Sequence, residues 1–228
     1  MPDKLPELVI YDFCETLVSI QTADTFVNFI CNLKNRGKFI SFIEILFKRT
    51  RLLLFFNLIL PQLNFSKKLC LYKLKGLSAD ELAFYAEKFY QEVIKKNYNK
   101  LIIEKLISDV EQDNIVVVIS GGYQPYIEKF CIEFNVRYLL CNKLQAKNGY
   151  LTGFFEGKDC MFNEKVSQLN TLIKNEELQF SNSKVYSDSI TDMPLFKWAA
   201  IQYVVSYNKS QQWPTIHGFK EIILKKDA

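Results

Sequence analysis

The constraint that most limits how this chain can fold is an apolar run that ends on an acid. Leu8, Val9, Ile10 and Tyr11 follow one another without polar alternation and stop at Asp12. A short run of that kind is the pattern of a strand buried on both faces. The next one, "IVVVIS" at residues 115–120, comes about a hundred residues later; "KVYS" at 184–187 and "IQYVV" at 201–205 follow. Helical patterns at Tyr123 to Phe134 and Glu164 to Lys174 lie between the later runs. Strands alternating with helices predict an α/β fold, a Rossmann-like parallel sheet covered on both faces.

The long interval after Asp12 breaks that rhythm. It holds no convincing strand and several amphipathic patterns. In "SADELAFYAEKFYQEVIKKNY", Ser78 and Glu81 have capping-box spacing, and Leu82, Tyr85, Ala86, Phe89 and Val93 share one stripe. Residues 20–95 therefore read as an inserted helical cap, with residues 1–19 and 96–228 forming the main domain. The segment 98–112 reads as the first helix after the return. Asn148-Gly149 between two part-alternating runs reads as a hairpin turn. At 228 residues, the chain is long enough to bury about three quarters of its unfolded surface without staples.

Composition excludes several classes. The net charge of +4 comes from 29 basic and 25 acidic residues spread along the chain, which argues against nucleic acid as a partner. The six cysteines form no C-x-x-C pair and there is one histidine, His217. This argues against zinc and for reduced thiols in the cytoplasm. Asp3 and Glu7 interrupt the amino terminus, and no signal core precedes them. "RLLLFFNLIL" at 51–60 is the greasiest stretch; its uncharged run, with Lys48, Arg49 and Arg51 before it and Asn57 and Pro61 within reach, is too short for a transmembrane segment. It reads as a buried helix, with contact at a membrane surface as the alternative. The tail after residue 207, with Trp213 and His217, has no assigned role.

Open parallel sheets bind ligands at the carboxyl ends of their strands. Asp12 ends the first strand, and Ser120, followed by Gly121 and Gly122, ends the second. Lys165 lies near a helix start, and Asp188 ends a later strand with Asp192 four residues on. Singly, these residues are ordinary caps, turns and solvated charges. Together they make a site for a phosphate and a divalent cation. Carboxylates are hard ligands for Mg²⁺. Ser120 and the backbone after it can donate to phosphate oxygens. Lys165 offsets negative charge, and a carboxylate beside a metal can attack phosphorus.

The order D-x-x-x-T (Asp12 to Thr16), S-G-G (Ser120 to Gly122), K (Lys165) and D-x-x-x-D (Asp188 to Asp192) resembles the four motifs of the haloacid dehalogenase superfamily of phosphohydrolases. The inserted helices, and "YLTGFFEGKDCMFNEKVSQL" leading to the lysine, are most similar to the branch containing phosphoserine phosphatase. The resemblance covers residues 8–205 and implies that fold with a C1-type helical cap. It implies a Mg²⁺-dependent phosphatase for a small phosphomonoester, an amino-alcohol, amino-acid or sugar phosphate. Asp12 would become phosphorylated. Asp12, Asp188 and the backbone carbonyl of Cys14 would hold the metal. Ser120, Gly121, Gly122 and Lys165 would hold the phosphoryl group, with Asp192 and Thr16 in support.

One position departs from the family. Two residues after the nucleophile, these phosphatases carry a second Asp as general acid and base, and here it is Cys14. The open accounts are that neighbouring Glu15 takes over, that the substrate or a cap residue supplies the proton, or that hydrolysis of the aspartyl-phosphate is slow. The last would make a phosphotransferase or a weakly active phosphate-ligand-binding relative. A cysteine-nucleophile phosphatase is disfavoured, since no Arg sits six residues beyond Cys14. The cap position expected to bind a substrate amine is Gln21, with Asp24 close by; Arg49 and Arg51 are further cap candidates for an anionic substrate.

Overall fold

Apolar runs without alternation have to be buried on both sides, and the strands they form are. The computed structural model describes residues 5–35 and 65–225. The first run becomes β1 (Glu7–Asp12) and the second β2 (Ile115–Tyr123). Two parts of the chain not read as buried strands follow, β3 (Tyr138–Lys147) and β4 (Tyr150–Glu156); then come β5 (Asn182–Ser187), β6 (Ile201–Tyr207) and β7 (Lys220–Leu224). The sheet order is β4-β3-β2-β1-β5-β6-β7, parallel throughout except for β4 against β3. Successive residues of β1 face opposite sides. Leu8 and Ile10 enter one apolar cluster with Val117, Ile119, Val185 and Val204. Val9 and Tyr11 enter the other with Val116, Val118, Tyr186 and Val205.

In the main domain, α4 (Lys100–Glu111) and α5 (Gln124–Glu133) contribute to the cluster of Val9 and Tyr11. The opposite face is covered by α6 (Asn163–Asn175), α7 (Met193–Trp198) and the short α8 (Gln212–His217). The alternation of strand and helix is as the sequence predicts. Three details differ. β2 does not end at Ser120 but runs on to Tyr123, with a shift of register between Ser120 and Tyr123, because the two glycines let the chain bulge and still pair with β3. β3 is half-exposed along most of its length and carries Asn142, Lys143, Gln145 and Lys147, so it offers no apolar run. The tail supplies α8 and an edge strand, β7, which is parallel to β6.

The described part of the 20–95 interval is helical. It contains α1 (Thr22–Lys34), α2 (Phe65–Tyr72) and α3 (Ala79–Phe89), the last continuing as a π turn at Tyr90–Ile94 and a 3-10 turn at Lys95–Asn97. Ser78 and Glu81 form a reciprocal capping box at the start of α3. Ala86 and Phe89 of its stripe are buried, and Leu82, Tyr85 and Val93 pack against the same cluster. Phe26 of α1 lies 5.1 Å from Phe89 and 4.9 Å from Tyr126 of α5, ring to ring. The insertion therefore shares one apolar cluster with the sheet. The stretch 51–60, with Arg51, and Arg49 before it lie outside the described residues. Among the described residues no helix is long and apolar enough to cross a membrane.

Asn148 and Gly149 both have positive φ, 52° and 80°, and turn β3 into β4 as a two-residue hairpin loop. The outer edge of β4 is not left bare. Gly76 N–H donates to Leu151 O (2.8 Å), Leu151 N–H to Leu77 O (2.8 Å) and Ala79 N–H to Gly149 O (2.9 Å). Gly153 has φ 85°, and a Cβ there would lie 3.1 Å from the Tyr72 backbone, so only glycine lets the hairpin lie against α2.

Candidate active site

β1 lies between β2 and β5, where the order of the strands reverses direction, so the loops leaving these three strands open around one crevice. After Asp12 the chain folds back at once: Leu17 and Val18 N–H groups both donate to Phe13 O, at 3.0 and 3.1 Å. Glu15 takes a left-handed conformation, φ 53°, to make that bend. Three outside groups fix the loop. Asn99 Nδ2 donates to Thr16 O (2.6 Å), Tyr207 OH donates to Glu15 O (2.9 Å), and Asn99 N–H donates to Leu17 O (3.0 Å). Thr16 ties the loop to the end of β5, accepting from Asp188 N–H (3.0 Å) and donating to Asp188 Oδ1 (3.3 Å).

The centre of the crevice is a nearly buried ionic network. Lys165 Nζ donates to Asp12 Oδ1 (2.6 Å) and to Asp192 Oδ2 (2.7 Å), and all three side chains are less than a tenth exposed. Ser187 Oγ donates to the same Asp192 oxygen (2.6 Å). Burial works to lower the Lys165 pKa, but the two adjacent carboxylates overcome it and hold the ammonium charged. Burial pushes the Asp12 carboxyl up, against the pull of Lys165 and with the push of Asp192. Asp188 is raised as well, by burial and then by the charges of Asp12, Glu15 and Asp192.

Three carboxylates around one lysine leave an excess of negative charge, and Asp192 Oδ1 is buried without a hydrogen-bond partner. Both features fit a hydrated divalent cation. Among the described residues no group of three or more His, Cys, Asp or Glu side chains converges as a ready-made metal cage. A cation here would take carboxylate, backbone carbonyl, water and substrate oxygens together. That mixed oxygen set, with few protein ligands and no nitrogen or sulfur, suits Mg²⁺ better than zinc.

Gly121, in the bulged end of β2, forms another part of the wall. Ser120 is fully buried and its Oγ accepts from Gly122 N–H (2.9 Å). Asn142 Nδ2 holds the bulge through Gly121 O (2.8 Å). A Cβ on Gly121 would sit 2.3 Å from Met161 Sδ, so a side chain at 121 would displace a neighbour at the cavity wall.

A cavity of about 380 Å³ opens over this centre, lined by Asp12, Cys14, Gly121, Lys165, Asp188 and Asp192 and, from the insertion, by Gln21, Asp24 and Lys67. Glu15 does not line it; its carboxylate accepts from Gln21 Nε2. Ser120 and Gly122 are buried and do not line it. Cys14 is half-buried, its Sγ 3.0 Å from Thr22 Oγ1 and 3.8 Å from Ser120 Oγ. Burial, and then the charge of Asp12, raise the thiol to about 11 despite those hydrogen bonds. At neutral pH it keeps its proton.

Some of the groups here had no signal in the sequence. Lys67 Nζ pairs with Asp159 Oδ1 (2.6 Å) and lies 5.2 Å from the centre of the Phe155 ring. Asn142 Nδ2 donates to the same Asp159 oxygen (2.8 Å). Thr22 Oγ1 bridges Cys14 to the buried Tyr126 hydroxyl (2.7 Å). Lys67 sits beside Lys68, where a pair of lysines reads as a solvated helix face, and its partner is far away in the chain.

The sequence profile of haloacid dehalogenase-like hydrolases matches residues 9–197. The chain belongs to that family. Two relatives named as phosphoserine phosphatases align over part of their length. The one from Methanocaldococcus jannaschii is 30% identical over 88 residues, 39% of this chain and 42% of that protein. The one from Streptococcus thermophilus is 26% identical over 115 residues, 50% of this chain and 52% of that protein. The aligned stretch thus spans about half or less of these relatives. Among solved structures, a protein of unknown function from Bordetella pertussis Tohama I superposes with a TM-score of 0.80 at 19% identity, covering 96% of this chain and 99% of that one. A substrate-bound phosphoserine phosphatase superposes with a TM-score of 0.64 at 21% identity, covering 99% and 95%. This haloacid dehalogenase-like chain therefore has the family's α/β fold with a helical insertion, and it is a distant relative of phosphoserine phosphatases.

Proposed function

We propose that the protein is a Mg²⁺-dependent phosphomonoesterase working through an aspartyl-phosphate on Asp12. The observation that supports this most directly is the buried Asp12–Lys165–Asp192 network at the strand ends, with Asp188 and Gly121 lining the same cavity. Bound Mg²⁺, held by the Asp12 and Asp188 carboxylates and the Cys14 carbonyl, would neutralise charge developing on the phosphoryl oxygens. Lys165, Ser120 and the Gly121 backbone hold the phosphoryl group; Asp192 and Thr16 keep Lys165 and Asp188 in place. An Asp12 oxygen attacks phosphorus as the bond to the alcohol breaks, and water then opens the acyl phosphate.

Residues 20–95 act as a cap on a catalytic domain of residues 1–19 and 96–228. From the cap, Asp24 brings a carboxylate to the cavity beside Lys67, which is itself paired with Asp159. That carboxylate favours a substrate whose alcohol half carries an amine, an amino-alcohol or amino-acid phosphate over a plain sugar phosphate. Incubation with Mg²⁺ and a panel of such esters should release inorganic phosphate, and Asp12→Asn should abolish release. Full activity in that variant would sink the mechanism.

The Cys14 thiol supports a second reading. A group near pH 11 does not deprotonate attacking water at neutral pH, and general acid–base help is worth about a hundred- to ten-thousandfold in rate. Slow opening of the aspartyl-phosphate makes the protein a phosphotransferase or a weakly active phosphate-ligand binder. Rapid-quench kinetics separate the readings: a burst of phosphoprotein equal to the enzyme present supports the second, and linear product release without a burst supports the first.

A further inference from the structure

A second cavity, of about 490 Å³, opens behind the loop that carries Asp12 and is not used in the reaction above. Its walls include Lys96, Lys100 and Lys225, and no acidic residue lines it. All three lysines are exposed, and among the described residues none of them forms an ion pair, although adjacent Lys95 is paired with Glu133. Three like charges around one concavity raise the local potential and favour a counter-anion.

The floor of this cavity holds the reaction loop. Asn99 and Tyr207 line it, and they are the residues whose side chains bond the carbonyls of Thr16 and Glu15. Asn99 Nδ2 also donates to the Tyr207 hydroxyl (2.6 Å), so the two act as one unit. Asn99 is nine-tenths buried. From Thr16 one hydrogen bond leads to Asp188. A ligand resting on Asn99 and Tyr207 is thus separated from a carboxylate of the catalytic centre by one loop.

We propose that this cleft binds a small polyanion carrying several phosphate groups, and that its occupancy is felt at residues 15–19 of the reaction loop. Binding does not depend on the phosphatase reading; only an effect on turnover would rest on it. The coupling is reciprocal, so a ligand at Asp12 changes affinity in the cleft by the same factor.

Calorimetric titration of the full chain with inorganic tripolyphosphate, free of metal at about 150 mM salt, reads binding without catalysis. The combined variant Lys96→Ser, Lys100→Ser, Lys225→Ser should bind about tenfold more weakly, as expected for three exposed charge contacts. A control with three other exposed lysines changed, Lys147→Ser, Lys174→Ser, Lys197→Ser, should stay within about twofold. No binding by the unaltered protein at about 5 mM, unchanged affinity in the cleft variant, or equal loss in the control overturns the site. Amide hydrogen exchange at Glu15–Ser19 should slow when tripolyphosphate is bound and should fail to slow in Tyr207→Phe. Unaltered exchange at those amides in the saturated native protein overturns the coupling.

Discussion

The two halves of the candidate site are built differently. The half made by strand ends is fixed several times over: Lys165 by two carboxylates, Asp192 by Lys165 and Ser187, and Asp188 by the Thr16 hydroxyl, which accepts from its N–H and donates to its carboxylate. The half made by the insertion reaches the cavity through Gln21, Asp24 and Lys67, of which Lys67 is anchored by a pair to the β4–α6 connection. Under the proposed function the difference would separate two kinds of work: chemistry that needs a nucleophile at a fixed place would belong to the sheet, and recognition of the variable part of a substrate to the helices.

The largest expected effect breaks the rigid half. Lys165→Ala leaves Asp12 and Asp192 buried without their cation and should cost about 3–5 kcal/mol of stability, measured by urea unfolding. Turnover should fall by about a thousandfold or more. Next is Cys14→Asp. If the missing acid limits the reaction, steady-state turnover should rise about a hundredfold and any phosphoprotein burst should vanish; a slower variant would show that the surroundings of Cys14 suit another substrate.

A smaller effect tests the half made by the insertion. Lys67→Met should raise KM about tenfold with kcat nearly unchanged, the signature of lost ground-state and transition-state binding alike. Loss of kcat instead would move Lys67 into the chemistry. The smallest effect concerns the metal. The folded-state pKa of Asp188 is raised, so its contribution to stability is greatest below the ordinary carboxylate range and is lost as pH rises towards the folded value. Without Mg²⁺ the melting temperature should therefore fall by about 4 °C as pH rises from 4 to 8, and excess Mg²⁺ should flatten the slope. Equal slopes with and without the metal would argue against a cation beside Asp188.

The same division explains what the sequence made legible. Asp12, Lys165, Asp188 and Asp192 converge because each sits where a buried apolar run or a helix start has to place it. Lys67, Asp159, Thr22 and Tyr126 depend on how helices of the insertion lie against a hairpin and α5, and no local pattern encodes that. β3 and β7 escaped for another reason: half-exposed strands with polar side chains lack the run that betrays a central strand. Glu15 follows from neither rule, since its left-handed backbone turns the carboxylate towards Gln21 rather than the cavity.

The apolar cluster common to Phe13, Phe26, Phe89, Tyr126 and Phe130 has a consequence for how this chain can change over generations. An accessory domain on a linker can be lost, exchanged or transplanted as a module. Here the insertion and the sheet complete one another's interior, and excising residues 20–95 would expose aromatic rings on both pieces. New substrate preferences in such a lineage are accessible by point changes around the mouth, at positions such as 21, 24 and 67, and not by swapping the whole segment.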